Sequence, residues 1–165
     1  MDRDYFRELY GQYYPCIYRL CLGYVKGNAS LAADLAQEVF ISVWEKYDSF
    51  KGDCQVGTWL YRIAVNCSLT EIRRNQSYRN RIQAYEIPEG DSAEKQHSDS
   101  ELLSRCIAKL EEPDRILALL VLEGLPQQEI ASILGLSDSN TRVKVHRLKE
   151  KLRATYLTLS VSIYE

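Results

Sequence analysis

Residues that build metal and catalytic sites are scarce in this sequence of 165 residues. It has two histidines, His97 and His146, and five cysteines with no pair at the CxxC spacing of zinc and redox sites. An odd number of cysteines also gives no disulfide framework. We therefore expect no metal, no cofactor and no disulfide, with the cysteines serving as small core residues in a reducing compartment.

The chain also lacks a long hydrophobic run and a strong charge imbalance. No stretch approaches the ~18 uninterrupted apolar residues of a membrane-spanning helix, and the first residues, MDRDYFRELYGQYY, contain no apolar segment of a signal peptide. The net charge of -2 argues against a uniformly basic protein that coats nucleic acid. Because 45% of the residues are hydrophobic, packed cores can form, and the sequence predicts a folded cytoplasmic protein.

Helical periodicity runs through both ends of the chain, over residues 5–74 and 101–157, with almost no strand-like alternation. The polar and acidic stretch between them contains Pro88 and Gly90 and resists burial, so it is typical of a linker. The sequence therefore predicts an all-α protein of two small helical domains. The predicted domains are residues 1–75 and 101–165, joined by a flexible linker over residues 76–100.

Breaks in the apolar periodicity divide the two segments into seven predicted helices. They cover residues 5–25, 30–47, 58–74, 100–110, 114–123, 126–134 and 138–156. Ser30 and Thr58 are natural N-caps of the second and third helices, and Gly124 suits the C-terminal end of the fifth. The sixth and seventh helices, separated by a tight Gly-Leu-Ser turn, have the spacing of a helix-turn-helix.

The seventh predicted helix has an apolar stripe and, opposite it, a basic face. The stripe consists of Thr141, Val145, Leu148 and Leu152 and should pack against the sixth helix. Arginine and asparagine can bond base edges in the major groove, and basic residues further along can meet phosphates. We therefore expect this face to bind DNA through Asn140, Arg142, Lys144 and Arg147. His146 lies on the same face, either as a phosphate contact or simply exposed.

Two further faces, both in the first half, are candidates for binding. On the second predicted helix, Ile41 stands in an acidic and polar face, either as a single exposed apolar residue or as part of a docking surface for another protein. On the third, a narrow polar strip holds Arg62, Asn66 and Arg73. Such a strip suits single-stranded DNA, because charge matches phosphates and polar groups hold an unstacked base. Trp59 lies at its margin, where a core position is the simpler interpretation.

Two segments of the chain resemble a known family. DLAQEVFISVWEKYDSF, followed by a short loop and TWLYRIAVNCSLTEIRR, resembles region 2 of the bacterial sigma factors. LEEPDRILALLVLEGLPQQEIASILGLSDSNTRVKVHRLKEKLR resembles region 4. The order of the two segments, and the lack of any segment resembling regions 1.1 or 3, is typical of the extracytoplasmic-function group. The resemblance implies a non-enzymatic factor that binds core RNA polymerase, directs it to particular promoters and helps to open them.

The resemblance also implies contacts for individual residues. Asp34, Gln37 and Glu38 match the acidic and polar motif of region 2.2, which implies binding to the β′ clamp of the polymerase, with Ile41 as an interface residue. Region 2 would engage the minus-10 element, with the loop at residues 51–57 capturing a flipped base. Its candidates are Lys51, Asp53, Gln55, Trp59, Arg62, Asn66 and Arg73. Region 4 would bind the β flap tip and the minus-35 element. Its candidates are Asn140, Arg142, Lys144, His146 and Arg147. An anti-sigma factor is a further implied partner.

Differences from the family and competing functions qualify this interpretation. The loop reads GDCQVGTW and the last helix SNTRVKVHR, and both differ from the residues that are common in the family at these places. These differences affect which bases the protein prefers, and they do not affect its resemblance to the family. A response regulator or repressor with the same helix-turn-helix would dimerise and bind duplex without polymerase, and the region 2 resemblance speaks against it. An enzyme is disfavoured, because the chain has no phosphate-binding loop, metal cluster or nucleophile with its base. We also expect the acidic linker and packing of the domains to hide their basic strips in the free protein.

Overall fold

The computed structural model describes residues 2–79 and 99–164, with side chains over residues 2–71 and 100–161. The described part consists of seven α-helices and one short 3-10 helix, without a strand. The helices are α1 (Arg3–Tyr24), α2 (Ala29–Lys46), α3 (Val56–Arg79), α4 (Asp99–Ala108), α5 (Glu112–Leu122), α6 (Gln127–Leu134) and α7 (Asp138–Tyr164), with the 3-10 helix at Tyr47–Ser49. The all-α prediction is confirmed. Within these residues no helix combines the length and the apolar character needed to cross a membrane.

The N-terminal caps of α2 and α3 differ from those predicted. Asn28 caps α2, because its side-chain oxygen accepts a hydrogen bond from the Leu31 N–H at 3.1 Å, and Ser30 lies inside the helix. Thr58 also lies inside its helix, since α3 begins at Val56. Both predicted caps were wrong for the same reason. The apolar periodicity marks where a helix begins to pack, whereas the cap precedes the first residue with helical backbone angles.

Two helices extend beyond their predicted ends. α3 continues to Arg79 rather than to residue 74, because no proline or glycine interrupts the sequence there. α7 continues to Tyr164 rather than to residue 156. The predicted linker therefore begins within a helix. Its remaining part, residues 80–98, lies outside the described residues, as do Pro88, Gly90 and His97.

The buried side chains of the two halves form one continuous hydrophobic cluster. In the first half Ile17, Val39 and Leu60 are fully buried, and in the second half Leu120 and Ile130 are. A small separate cluster joins α4 to the distal part of α7. The predicted two helical units are therefore packed together through a shared apolar interior.

Contacts at two ends of the interface hold the halves together. Near the end of α1, Arg19 forms an ion pair with Glu123, the residue that follows α5. One turn further along, Gly23 lies so close to Leu119 of α5 that a Cβ atom would overlap the leucine methyl groups. At the other end, α6 lies against α3. The expectation that the two halves fold against each other is confirmed.

Candidate nucleic-acid and protein interfaces

The turn between α6 and α7 is built around Gly135. This residue adopts the left-handed conformation with φ 65° and ψ 33°, and its N–H donates to the Ala131 carbonyl. The Leu136 N–H donates to the same carbonyl oxygen at 2.9 Å. Ser137 then precedes α7, and its hydroxyl accepts a hydrogen bond from the Asn140 N–H at 3.3 Å. The predicted tight turn is confirmed, and it fixes the residue at which α7 begins.

α7 presents one stripe to the core and a basic face to solvent. Thr141, Val145 and Leu148 are at most 4% exposed, and Leu152 is half-buried. The minus-35 candidates are all exposed: Asn140, Arg142, Lys144, His146 and Arg147. The predicted orientation of this helix is confirmed. The expectation that packing of the two halves hides its basic face is wrong, because the first half packs against α4, α5 and α6.

Ion pairs further distinguish the basic residues of α7. Lys151 donates to the Asp114 carboxylate of α5 at 2.5 Å, and this hydrogen bond raises the pKa of Lys151. His146 Nδ1 lies 3.6 Å from a carboxylate oxygen of Glu150, one turn along the same helix. In contrast, Arg142, Lys144 and Arg147 form no ion pair with any residue that the structure describes. Their charges are therefore available to an external anion such as a DNA phosphate.

The acidic face of α2 also carries exposed apolar surface. Asp34, Gln37 and Glu38 are exposed opposite the buried stripe, as predicted. Ile41 is 55% exposed, and two other large apolar residues of α2, Leu31 and Trp44, are exposed at 46% and 43%. Trp44 packs edge-on against Phe6 of α1, with ring centroids 5.1 Å apart, and keeps part of its surface open one turn from Ile41. Because Ile41 has this apolar neighbour, a protein docking surface is a better interpretation than a single stray apolar residue. The sequence analysis missed Leu31 and Trp44, although Trp44 follows Ile41 at helical spacing.

The polar strip of α3 is partly covered by α6. Arg62 is half-buried, and its Nε donates to the Ser132 carbonyl at 2.9 Å while Nη2 donates to the Ser132 hydroxyl at 2.5 Å. Its Nη1 lies 3.9 Å from the Cys54 sulfur. Asn66 is exposed. Arg73 belongs to α3, but its side chain lies outside the described part. The structure therefore places one member of the strip in a contact between the two halves.

The loop before α3 combines exposed polar groups with a cluster of aromatic rings. Lys51, Asp53 and Gln55 are exposed. Trp59 is half-buried, with its ring 4.9 Å from that of Phe50 and 6.3 Å from that of Tyr47. Trp59 thus packs within this aromatic cluster, which the sequence analysis missed, while keeping part of its surface open.

The most perturbed ionisable groups lie in the packed interior rather than on these faces. Burial raises the pKa of the Cys21 thiol to about 12 and also raises the pKa values of Tyr24 and Tyr61. Burial lowers the pKa of Arg115, whose guanidinium donates to the Leu110 carbonyl at 2.5 Å. Within the described residues, no three His, Cys, Asp or Glu side chains are grouped to hold a metal. The exposed faces instead offer charge and hydrogen-bond donors to a large partner.

Both halves of the chain are similar to known protein families. Residues 9–78 match the family model described as Sigma-70 region 2, and residues 100–152 match that described as Sigma-70, region 4. The ECF RNA polymerase sigma factor SigW of Bacillus subtilis is 29% identical, over 92% of this chain and 89% of the relative. The RNA polymerase sigma factor YlaC of the same organism is 31% identical, over 92% and 91%. The ECF RNA polymerase sigma-E factor of Escherichia coli K12 is 33% identical, over 72% and 70%.

Among the solved structures that share the fold, two illustrate the similarity. One is the sigma factor RpoE from Bartonella quintana in complex with the anti-sigma factor NepR, with a TM-score of 0.76 at 19% identity over 91% of this chain and 95% of that chain. The other is CnrH in complex with the cytosolic domain of CnrY, with a TM-score of 0.68 at 20% identity over 93% and 88%. At these identities the similarity concerns the arrangement of the helices.

Proposed function

This chain belongs to the extracytoplasmic-function group of the sigma-70 family, and we propose that it binds core RNA polymerase, directs it to particular promoters and helps to open them. The observation that carries the proposal is the exposed basic face of α7 on a helix-turn-helix. We further propose residues 1–75 and 101–165 as its two domains, with the last turn of α3 and the first residues of α4 extending into the segment between them.

The polymerase-binding surface of the first domain is the exposed face of α2. Asp34, Gln37 and Glu38 bind the β′ clamp with their carboxylate and amide groups, and Ile41 adds apolar contact area. A rim of charge around an exposed apolar residue is the usual composition of a protein interface. The second domain makes a further contact with the β flap.

The minus-35 element is bound by α7. Its N-terminal residues Asn140, Arg142 and Lys144 enter the major groove, where arginine and asparagine can bond base edges in bidentate fashion. His146 and Arg147 follow one turn later, close to bases or to the backbone. The buried stripe of α7 keeps this face turned outward.

The minus-10 element is bound by the first domain as a melted strand. The exposed loop residues Lys51, Asp53 and Gln55 capture a flipped base, beside the partly open ring of Trp59. The phosphates of the same strand follow α3. Its contacts there are Arg62, Asn66 and Arg73.

This role has consequences for location, chemistry and control. A factor that acts with RNA polymerase on chromosomal DNA works in the cytoplasm, and it needs no catalytic group because the polymerase joins the nucleotides. The RpoE and CnrH structures each contain a second protein, described for RpoE as an anti-sigma factor. We include an anti-sigma factor among the partners of this chain.

Run-off transcription with purified core polymerase on a genomic promoter library tests the proposed function. We expect transcripts only when this protein is added, starting downstream of a restricted set of sequences. Binding to duplex operators with no effect on polymerase would instead support the repressor hypothesis. A pull-down of core polymerase by the protein separates a defect in polymerase binding from one in DNA binding.

A further inference from the structure

The three proposed contact surfaces are not equally accessible when the two halves are packed together. The α2 face around Ile41 and the α7 face around Arg147 are exposed. The α3 strip differs from both, because Arg62 is half-buried and directed at α6. The packing of the halves therefore affects the minus-10 surface at Arg62 and leaves the α2 and α7 surfaces open.

Two side chains of α3, one turn apart, meet two side chains of α6 that are also one turn apart. Arg62 donates from two nitrogens to the carbonyl and hydroxyl oxygens of Ser132 at 2.9 and 2.5 Å. Thr58, only 4% exposed, donates its hydroxyl proton to the Glu129 carboxylate at 3.2 Å. A donor group that already bonds α6 cannot bond a DNA phosphate at the same time. The Glu129 carboxylate also adds negative charge beside a strip proposed to bind a polyanion.

We infer that α6 is an intramolecular cover for Arg62 in the single-strand-binding strip of α3, so that the free protein can meet polymerase and upstream duplex while withholding Arg62 from a melted minus-10 strand. This inference rests on the proposed function of the strip. Binding of single-stranded DNA that uses Arg62 then requires the halves to separate. The apparent affinity of this binding mode is its intrinsic affinity reduced by the fraction of open molecules.

The interface can be weakened at a place remote from the strip. Arg19 pairs with Glu123, and Gly23 packs against Leu119, on the side of α1 that faces α5. Arg19→Glu together with Gly23→Leu places two carboxylates together and adds a side chain where there is no room. The same helix provides a matched control, Arg7→Glu with Gly11→Leu. Arg7 is exposed and Gly11 has nothing within 4 Å of an added Cβ, and both pairs are spaced four residues apart.

The main experiment compares this opening variant with its control in two measurements. Small-angle scattering gives the radius of gyration, which should rise only in the opening variant. Fluorescence anisotropy gives the affinity for a random single strand of about 25 nucleotides and for its duplex, at one salt concentration. If about a tenth of the molecules are open at equilibrium, full opening raises single-strand affinity about tenfold. Duplex affinity should be the same in both variants, and Arg62→Ala in the opening variant should abolish the gain.

A second pair of variants tests the cover without opening the protein. Ser132→Asp gives Arg62 a carboxylate partner and should lower single-strand affinity more than Gln128→Asp, which adds the same charge at an exposed position of α6. Equal single-strand affinities within both pairs of variants would overturn the inference, whatever the radius of gyration. Run-off transcription by the unmodified protein is scored separately. Its absence would overturn the proposed function, whereas the anisotropy result concerns only the cover.

Discussion

Arg19 and Glu123 are 104 positions apart in the sequence and are joined by two hydrogen bonds, 3.0 Å from Nε to Oε1 and 2.7 Å from Nη2 to Oε2. The Glu123 side chain is 11% exposed, whereas that of Arg19 is 60% exposed. The hydrogen bond and the charge of Glu123 raise the pKa of Arg19. The parallel geometry matches the planar guanidinium to the carboxylate, so the pair orients α1 against the end of α5.

A double-mutant cycle on this pair should give a coupling free energy of about 0.5 to 1 kcal/mol, limited by the solvent exposure of Arg19. The variants are Arg19→Ala, Glu123→Ala and the double variant, with unfolding measured in urea. A cycle on Arg7 and Asp4, whose side chains are 81% and 84% exposed, serves as the control and should give a smaller value. Equal couplings in the two cycles would show that the pair of Arg19 and Glu123 stabilises the protein no more than an exposed ion pair within one helix does.

Asp34→Ala with Glu38→Ala should weaken binding to core polymerase without lowering the free energy of unfolding. Both carboxylates are exposed on α2, opposite its buried stripe, so their loss removes interface charge and no packing. A competition assay with a labelled sigma factor measures the affinity. Asp4→Ala with Glu8→Ala, an exposed pair at the same spacing on α1, is the matched control. Unchanged polymerase affinity in the α2 variant would refute the assignment.

Arg147→Ala should reduce binding to the minus-35 element. If Arg147 bonds a base, the loss is about 1 to 3 kcal/mol and depends on the base at one position. A loss that is equal for all sequences marks a phosphate contact instead. Anisotropy measurements with duplexes carrying single base changes distinguish the two. Arg7→Ala removes an exposed arginine from α1 and should leave duplex binding unchanged.

The stability of the protein should fall at alkaline pH because of Cys21. This thiol is fully buried, and burial raises its pKa from 9.0 to about 12. Above about pH 9 the unfolded chain loses the thiol proton while the folded chain keeps it, so rising pH favours unfolding by up to about 1.4 kcal/mol per pH unit. Urea unfolding between about pH 8 and about pH 10.5 measures the slope.

Substituting Cys21 with serine removes the titrating thiol, so Cys21→Ser should have a shallower alkaline slope than the unmodified protein. Cys54→Ser, at a partly exposed position, should keep the original slope. Equal slopes for Cys21→Ser and the unmodified protein would mean that other buried groups, such as Tyr24 and Tyr61, account for the alkaline loss.

The faces that are proposed to bind polymerase and upstream DNA could be predicted from periodicity. On α7, Val145 and Leu148 recur at the spacing of one helical stripe. Burial of this stripe directs Arg142 and Arg147 outward, and this direction does not depend on how the two halves pack together. The turn was readable for a similar reason, since Gly135 provides the left-handed conformation that ends α6. The N-cap of α2 could not be predicted in this way, because Asn28 and Ser30 are both favourable capping residues and the backbone conformation decides between them.

The sequence by itself determined the helical class, the helix-turn-helix and the outward directions of the α2 and α7 faces, because these follow from contacts within a few residues along one helix. Tertiary structure alone decided which face the other half covers. Helical spacing places Arg62 on the same strip of α3 as the exposed Asn66. Arg62 is nevertheless half-buried, because it bonds Ser132 of α6, 70 positions away in the sequence. A contact over that separation depends on how whole helices pack, which local periodicity does not encode.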